Sequence, residues 1–185
     1  PADELETQAL YHLAAGLRRE GSAESKYRAR QLLTRLRLDY PAHPLAMRAL
    51  LEMSRWELLD GRTEQAAANL AALEEMGAPA ALRAEAFLSA ASTAFRSKDF
   101  KLASGELDKA ATLLDGDAKR QATLGAAISR LASGDADGFQ TIAEGQAKDP
   151  RIADDLALEH ALFLTSRRDP KAMAALDKSI LDHPQ

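Results

Sequence analysis

The residues equipped to do chemistry are few and scattered. Four histidines, His12, His43, His160 and His183, lie far apart and form no His-x-x-x-His pair. Glu159-His160 is adjacent, but the second imidazole that a zinc-protease helix needs is missing. The absence of cysteine removes disulfides, thiolate metal sites and cysteine nucleophiles together. No Gly-x-x-x-x-Gly-Lys or Gly-x-Gly-x-x-Gly segment exists to cradle a phosphate, and no Gly-x-Ser-x-Gly elbow raises a nucleophilic serine. Read this way, the chain has no catalytic set, no metal set and no cofactor site, and it is expected not to be an enzyme.

One segment fits a metal-binding spacing. Ser133, Asp135, Asp137, Gly138 and Glu144 follow the order of a calcium loop, with oxygen ligands around a Gly turn and a distal carboxylate. Ser133 stands where such loops carry Asp, and Gln140 where they carry an apolar residue. The plainer reading is an ordinary turn between two helices.

Charge narrows the partner class. The formal charge of -4 is mild and acidic, which argues against a nucleic-acid binder. With 46% hydrophobic and 28% charged residues, and no apolar run of bilayer length, direct membrane insertion is not expected.

The elements that position these residues are helices. Strong helix formers dominate, while β-branched and aromatic residues are sparse. Apolar residues recur at helical spacing, as in Leu10, Leu13, Ala14 and Leu17, or Leu124, Ile128 and Leu131. Asp149-Pro150 and Asp169-Pro170 read as helix starts, a capping carboxylate before a Pro whose missing N–H costs nothing there. Asp3 with Glu6 fits a capping box, and Pro41, Pro44, Pro79 and Pro184 punctuate segment ends. The predicted helices are 4–20, 24–40, 45–60, 63–76, 80–97, 99–114, 118–133, 136–148, 151–168 and 170–182.

These helices repeat. A small residue followed four positions later by a large aliphatic one recurs as Ala29 and Leu33, Ala66 and Leu70, Ala103 and Leu107, Gly138 and Ile142, and Ala172 and Leu176, at intervals of 37, 37, 35 and 34. A turn precedes each pair: Gly21-Ser22, Gly61-Arg62, Lys98-Asp99, Gly134-Asp135 and Arg168-Asp169. Neither helix of such a pair can bury its apolar stripe alone, so neighbours must stack.

The segment Lys98-Asp99-Phe100-Lys101-Leu102-Ala103 through Leu107 and Ala110 resembles the second helix of a tetratricopeptide (TPR) repeat. So do Gly61 to Leu73 and Tyr27 to Pro41, the latter ending in Asp-Tyr-Pro. First helices match through Leu13, Ala14 and Leu17, and through Leu124, Gly125 and Ile128. The fourth and fifth repeats depart most, with Gly138 and Gly145 in place of alanines and Ser179 in place of a small apolar residue. The resemblance implies an all-α, right-handed solenoid of about five repeats and about ten antiparallel helices. It spans 1–185 as one domain, with repeats near 4–41, 44–79, 80–116, 117–149 and 150–185.

In that family, first helices line a concave groove that binds partners. Carried over by position, the groove candidates are Tyr11, Arg18, Arg48, Leu51, Arg55, Leu88, Ser92, Phe95, Lys119 and Arg130, flanked by Gln8, Leu58, Glu85 and Ala126. Arg48 and Arg55, seven apart on one helical face, would join Arg18, Lys119 and Arg130 in a basic groove suited to an acidic partner; the plainer alternative is that such arginines are solvated or paired with nearby acids such as Glu52. The chaperone-tail clamp of the family is not expected, because Tyr11 and Ala15 replace its Lys and Asn. A second basic stripe, Arg28 with Arg35 and Arg30 with Arg37, reads as a solvated outer face, and Trp56 as a packing anchor between first helices, with an exposed hot spot as the alternative.

The implied function is a non-catalytic scaffold that binds a protein partner, an enzyme or a secretion component. An anionic-polysaccharide module and a structural spacer are the alternatives. The Tyr-Pro-Ala-His-Pro turn at 40–44 resembles turns of bacterial envelope TPR proteins of outer-membrane assembly and polysaccharide export, which points to the periplasm, with the cytoplasm as alternative. The ending Asp182-His183-Pro184-Gln185 reads as the close of one repeat, so further repeats of a longer parent chain are expected.

Overall fold

The computed structural model describes residues 2–175 and 177, with the side chain of Ala2 excepted. Leu176, Ser179, His183, Pro184 and the 182–185 ending lie outside the described residues. Among the described residues the chain is all-helical, with no strand. The helices are α1 (Ala2–Glu20), α2 (Ala23–Asp39), α3 (Pro44–Leu59), α4 (Thr63–Glu75), α5 (Ala80–Arg96), α6 (Phe100–Leu113), α7 (Gly116–Ser133), α8 (Ala136–Gln146) and α9 (Pro150–Ser166). A further helix opens at residue 172. Each observed boundary from α1 to α9 falls within two residues of the predicted one.

The boundaries are set by one piece of backbone chemistry used repeatedly. At Gly61, Gly77, Lys98, Gly134 and Arg168 the chain turns into the left-handed region, with φ of 74°, 66°, 62°, 85° and 55°. In each case two N–H groups double back on orphan carbonyls. At Lys98, for example, its own N–H reaches Phe95 O and the next N–H, of Asp99, reaches Ala94 O. This pairing is the Schellman motif, and glycine suits it because it has no Cβ to clash. Asp99 and Asp135, which leave the turn, immediately cap the next helix by accepting from Leu102 N and Gly138 N. Asp169 accepts from Lys171 N in the same way. One residue that ends a helix is therefore followed directly by one that begins the next, and the hairpin closes tightly.

Lys98 and Arg168 occupy the left-handed position with a side chain that resists it. Lys98→Gly and Arg168→Gly are each expected to raise the unfolding free energy by about 1 kcal/mol, read as a higher midpoint in thermal melts. Gly134→Ala should lower it by a similar amount.

Other caps follow sequence logic with one exception. Asp149 caps α9 ahead of Pro150 as predicted. His43 caps α3, its Nδ1 accepting the Leu45 N–H, with Pro44 next in the helix. The capping box at Asp3 and Glu6 does not form. The helix already includes Ala2, so Asp3 sits in its first turn, favourable to the helix dipole, and Glu6 is used elsewhere. Glu6 accepts from the Tyr40 hydroxyl at 2.7 Å and from Arg35 at 2.6 Å, tying α1 to the end of α2.

The chain divides into two compact units, Pro1–Ala90 and Ala91–Gln185. In the first, α1 packs on α2 and α3, α2 on α3, and α3 on α4. Its core gathers Leu10, Ala14, Ala29, Leu33, Leu36, Ala49 and Trp56, with Tyr11, Leu17 and Tyr40 packed against them. In the second, α7 packs on α6, α8 and α9, and α8 on α9. Its core is Ala127, Leu131, Phe139, Ile152 and Leu156. Within each unit these packed pairs lie one or two helices apart in sequence, the pattern that stacked hairpins produce. The recurring small residues Ala29, Ala66, Ala103 and Ala172 are all buried. In α8 the register shifts by one: Phe139 is buried, while Gly138 and Ile142 are only half-buried.

Candidate functional site

In the first unit, α1, α3 and the start of α5 bring a set of polar side chains together. Arg55 on α3 is held by three partners. Its Nη1 donates to Glu52 Oε1 at 2.8 Å, its Nη2 to Glu85 Oε1 at 3.0 Å and its Nε to Ser89 Oγ at 2.8 Å. Tyr11 of α1 is half-buried beside them. Burial pushes its phenol above the ordinary value and Glu52 adds to this, while Arg48 and Arg55 oppose it. Tyr11 also meets the His12 ring edge-on at 5.7 Å. Tyr11 thus lies near Arg48 and Arg55, which their spacing places on one face of α3, and Leu88 is exposed on α5.

Of the two readings of that face, a basic groove or arginines paired with nearby acids, Arg55 follows the second. Arg55 is balanced by Glu52 and Glu85, so Arg48 is the cation exposed to solvent among these residues. Arg18 turns elsewhere. It grips Asp60 with two bonds, at 3.0 and 3.1 Å, and its guanidinium lies 5.5 Å from the Trp56 ring centre. Trp56 is buried, the packing role expected of it. Leu51 is a correction: at 1% exposure it is core, not groove. It lies between Arg48 and Arg55 along α3 but about 40° beyond Arg55 on the helical wheel, which turns its side chain toward the core while the longer arginine stems reach the surface.

In the second unit the predicted residues do not assemble. Arg130 forms a two-pronged pair with Asp108 of α6, at 3.2 and 2.5 Å. Ala126 is buried, and Phe95 stacks edge-on against Phe100 at 5.2 Å. Ser92 and Lys119 are exposed. What the unit offers between α7 and α9 is a cleft of about 260 Å³ lined by Asp117, Arg120, Gln121, Leu124, Ile152 and Asp155. Arg120 pairs with Asp117 inside it. These are first-helix residues, and Asp117, Arg120, Gln121 and Leu124 follow the spacing of one helical face. That spacing was available in the sequence, but the face through Lys119, Ala126 and Arg130 is rotated away from it.

At the calcium-like spacing the ordinary turn between two helices forms. Ala136–Gln146 is continuous helix, so residues 133–144 cannot wrap around an ion. Asp135 is spent on the helix cap, and Glu144 accepts from Gln140 at 3.0 Å. Among the described residues no group of three His, Asp or Glu side chains converges. His43 Nε2 lies 3.1 Å from Glu4 Oε2 and 3.3 Å from the buried Thr7 hydroxyl, while His160 packs on the Phe139 ring at 5.0 Å. Among the described residues no helix is long and apolar enough to cross a membrane.

Comparison with protein-family models, with curated proteins and with solved structures found no match.

Proposed function

We propose that the chain is a TPR-like scaffold that catalyses nothing and binds a protein partner on its first-helix faces, as part of a longer bacterial envelope protein of export or assembly. The observation that carries this reading is the packing pattern. Within each unit, helical hairpins pack on sequence neighbours, and the first helices bring side chains of both signs to one surface: Arg48, Glu52, Arg55 and Glu85 in the first unit, Asp117, Arg120 and Asp155 in the second. Such faces recognise a polar peptide through several directed bonds. The balance of charge favours that ligand over a polysaccharide of uniform negative charge, and the Tyr40-Pro41 turn is what supports a periplasmic setting.

Arg48→Glu tests the reading with little structural disturbance, because Arg48 is exposed. A partner retained by the wild-type chain at low and high salt should bind this variant roughly tenfold more weakly, with the thermal midpoint unchanged. Arg55→Glu, which also sets a carboxylate against Glu52 and Glu85, should weaken it further. Unchanged affinity in both variants would remove the first-helix face from the interface.

A further inference from the structure

We propose that the outer face of α2, together with the start of α4, is a second docking surface, one that takes an acidic amphipathic helix of a partner protein. A trough of about 540 Å³ runs there, lined by Tyr27, Arg30, Gln31, Thr34, Arg35, Leu38, Asp39 and Arg62. Tyr27, Gln31, Thr34 and Leu38 are spaced four, three and four residues apart, so they form one stripe along α2, about 16 Å from end to end. Its two apolar ends are open to solvent, Tyr27 at 61% and Leu38 at 64% exposure. Apolar anchors at both ends of a stripe, with hydrogen-bonding groups between them, match a helix laid lengthwise along α2.

Charge decides the sign of the partner. α2 carries Lys26, Arg28, Arg30, Arg35 and Arg37 against Glu24 and Asp39, in a chain whose net charge is -4. Three guanidiniums line the trough against the single carboxylate of Asp39. They are held in place from behind. Arg30 and Arg62 both contact Glu57 and Asp60, and Arg35 contacts Glu6 and Asp39. Arg30 and Arg35 are hydrogen-bonded through Nε and Nη2, and Arg62 through Nη2 with its Nε in an ion pair to Glu57, so these contacts engage two of the three nitrogens of each guanidinium. A guanidinium has five N–H donors, so each keeps donors for an incoming carboxylate while its position is already fixed. A bilayer is a poorer fit, because the surface is concave and offers two separated apolar side chains where a membrane helix offers a continuous face.

The surface is distinct from the face through Tyr11, Arg48 and Arg55, so the two assignments can fail separately. The test uses fluorescence anisotropy with a labelled helical peptide of about 16 residues, carrying two leucines spaced as Tyr27 and Leu38 are, and glutamates beside them. A second peptide has lysine for glutamate, and heparin and phosphatidylserine vesicles serve as the other anionic probes. The acidic peptide is expected to bind saturably, to weaken roughly tenfold with Tyr27→Ser plus Leu38→Ser, and to bind Arg48→Glu as it binds wild type. The lysine peptide should not bind. Equal binding of both peptides, indifference to the Tyr27 and Leu38 changes, loss in Arg48→Glu, or retention of heparin or vesicles without the acidic peptide would each overturn the proposal.

Discussion

Glu57→Ala is expected to lower the unfolding free energy by about 3 kcal/mol in urea titration, more than any surface charge in this chain should. Glu57 is 4% exposed, and its carboxylate meets Arg30 at 2.9 Å and Arg62 at 2.5 Å. With Asp60 it neutralises three guanidiniums, of which Arg18 and Arg30 are themselves largely covered. The lost methylene packing is worth about 1 kcal/mol, so the larger part of the cost is cations left in a poorly hydrated place with one carboxylate among them. The control is Glu24→Ala, which breaks the Arg28 pair where both side chains are more than half exposed, and it should change stability by less than about 0.5 kcal/mol. Equal effects from the two substitutions would show that the cluster contributes no more than a surface pair.

The same cluster predicts a pH dependence. The hydrogen bond from Arg18 holds the Asp60 carboxyl below its ordinary value, with its charge and Arg30 adding to this and burial opposing it. A carboxyl depressed in the folded state binds its proton more readily when unfolded. Its contribution is therefore complete above the ordinary carboxylate range, near pH 4, and is lost as pH falls through the lower folded value. Thermal midpoints should fall on acidification below about pH 4, and Asp60→Asn should flatten that part of the profile.

The fold was legible where its causes are local. The turns at Gly61 and Gly134 declare themselves through a residue that tolerates positive φ, and the turns at Lys98 and Gly134 through the capping Asp99 and Asp135 that follow. The burial of Ala29, Ala66 and Ala103 follows from a period that a single helix face imposes. The site was less legible because its electrostatics are decided across helices. Arg18 and Asp60 are 42 residues apart, Arg55 and Glu85 are 30 apart, and Arg130 and Asp108 are 22 apart. Helical spacing offers an arginine the acid one turn away, as Glu52 for Arg55, but does not name the carboxylate that another helix supplies, so Arg18, Arg55 and Arg130 became closed pairs while Arg48 and Lys119 stayed exposed. The outer stripe shows the converse. Arg30 looked solvated on spacing alone, yet Glu57 and Asp60 draw it inward and fix the direction in which its remaining donors point.

Phe139→Ala should be the most damaging change in the second unit, costing about 3–5 kcal/mol, while Ile142→Ala should cost about half as much. The repeat period assigns the anchoring role in α8 to Ile142, four residues after Gly138. Packing assigns it to Phe139, the buried residue of that helix, which rests against Leu131, Ile152 and Leu156 and stacks on His160 of α9. The displacement has a local cause. A Cβ at residue 138 would collide with the Asp135 carboxylate that caps the helix and with the Arg130 side chain, so that position cannot supply the small buried side chain found in the other repeats. The next residue takes over and brings a ring. A helix of 11 residues has little stability of its own, so without the ring α8 should fray. Hydrogen exchange read residue by residue would then show α8 amides losing protection before those of α6 and α7, which pack on each other independently of Phe139. A larger loss at Ile142 than at Phe139 would restore the register that the period implies.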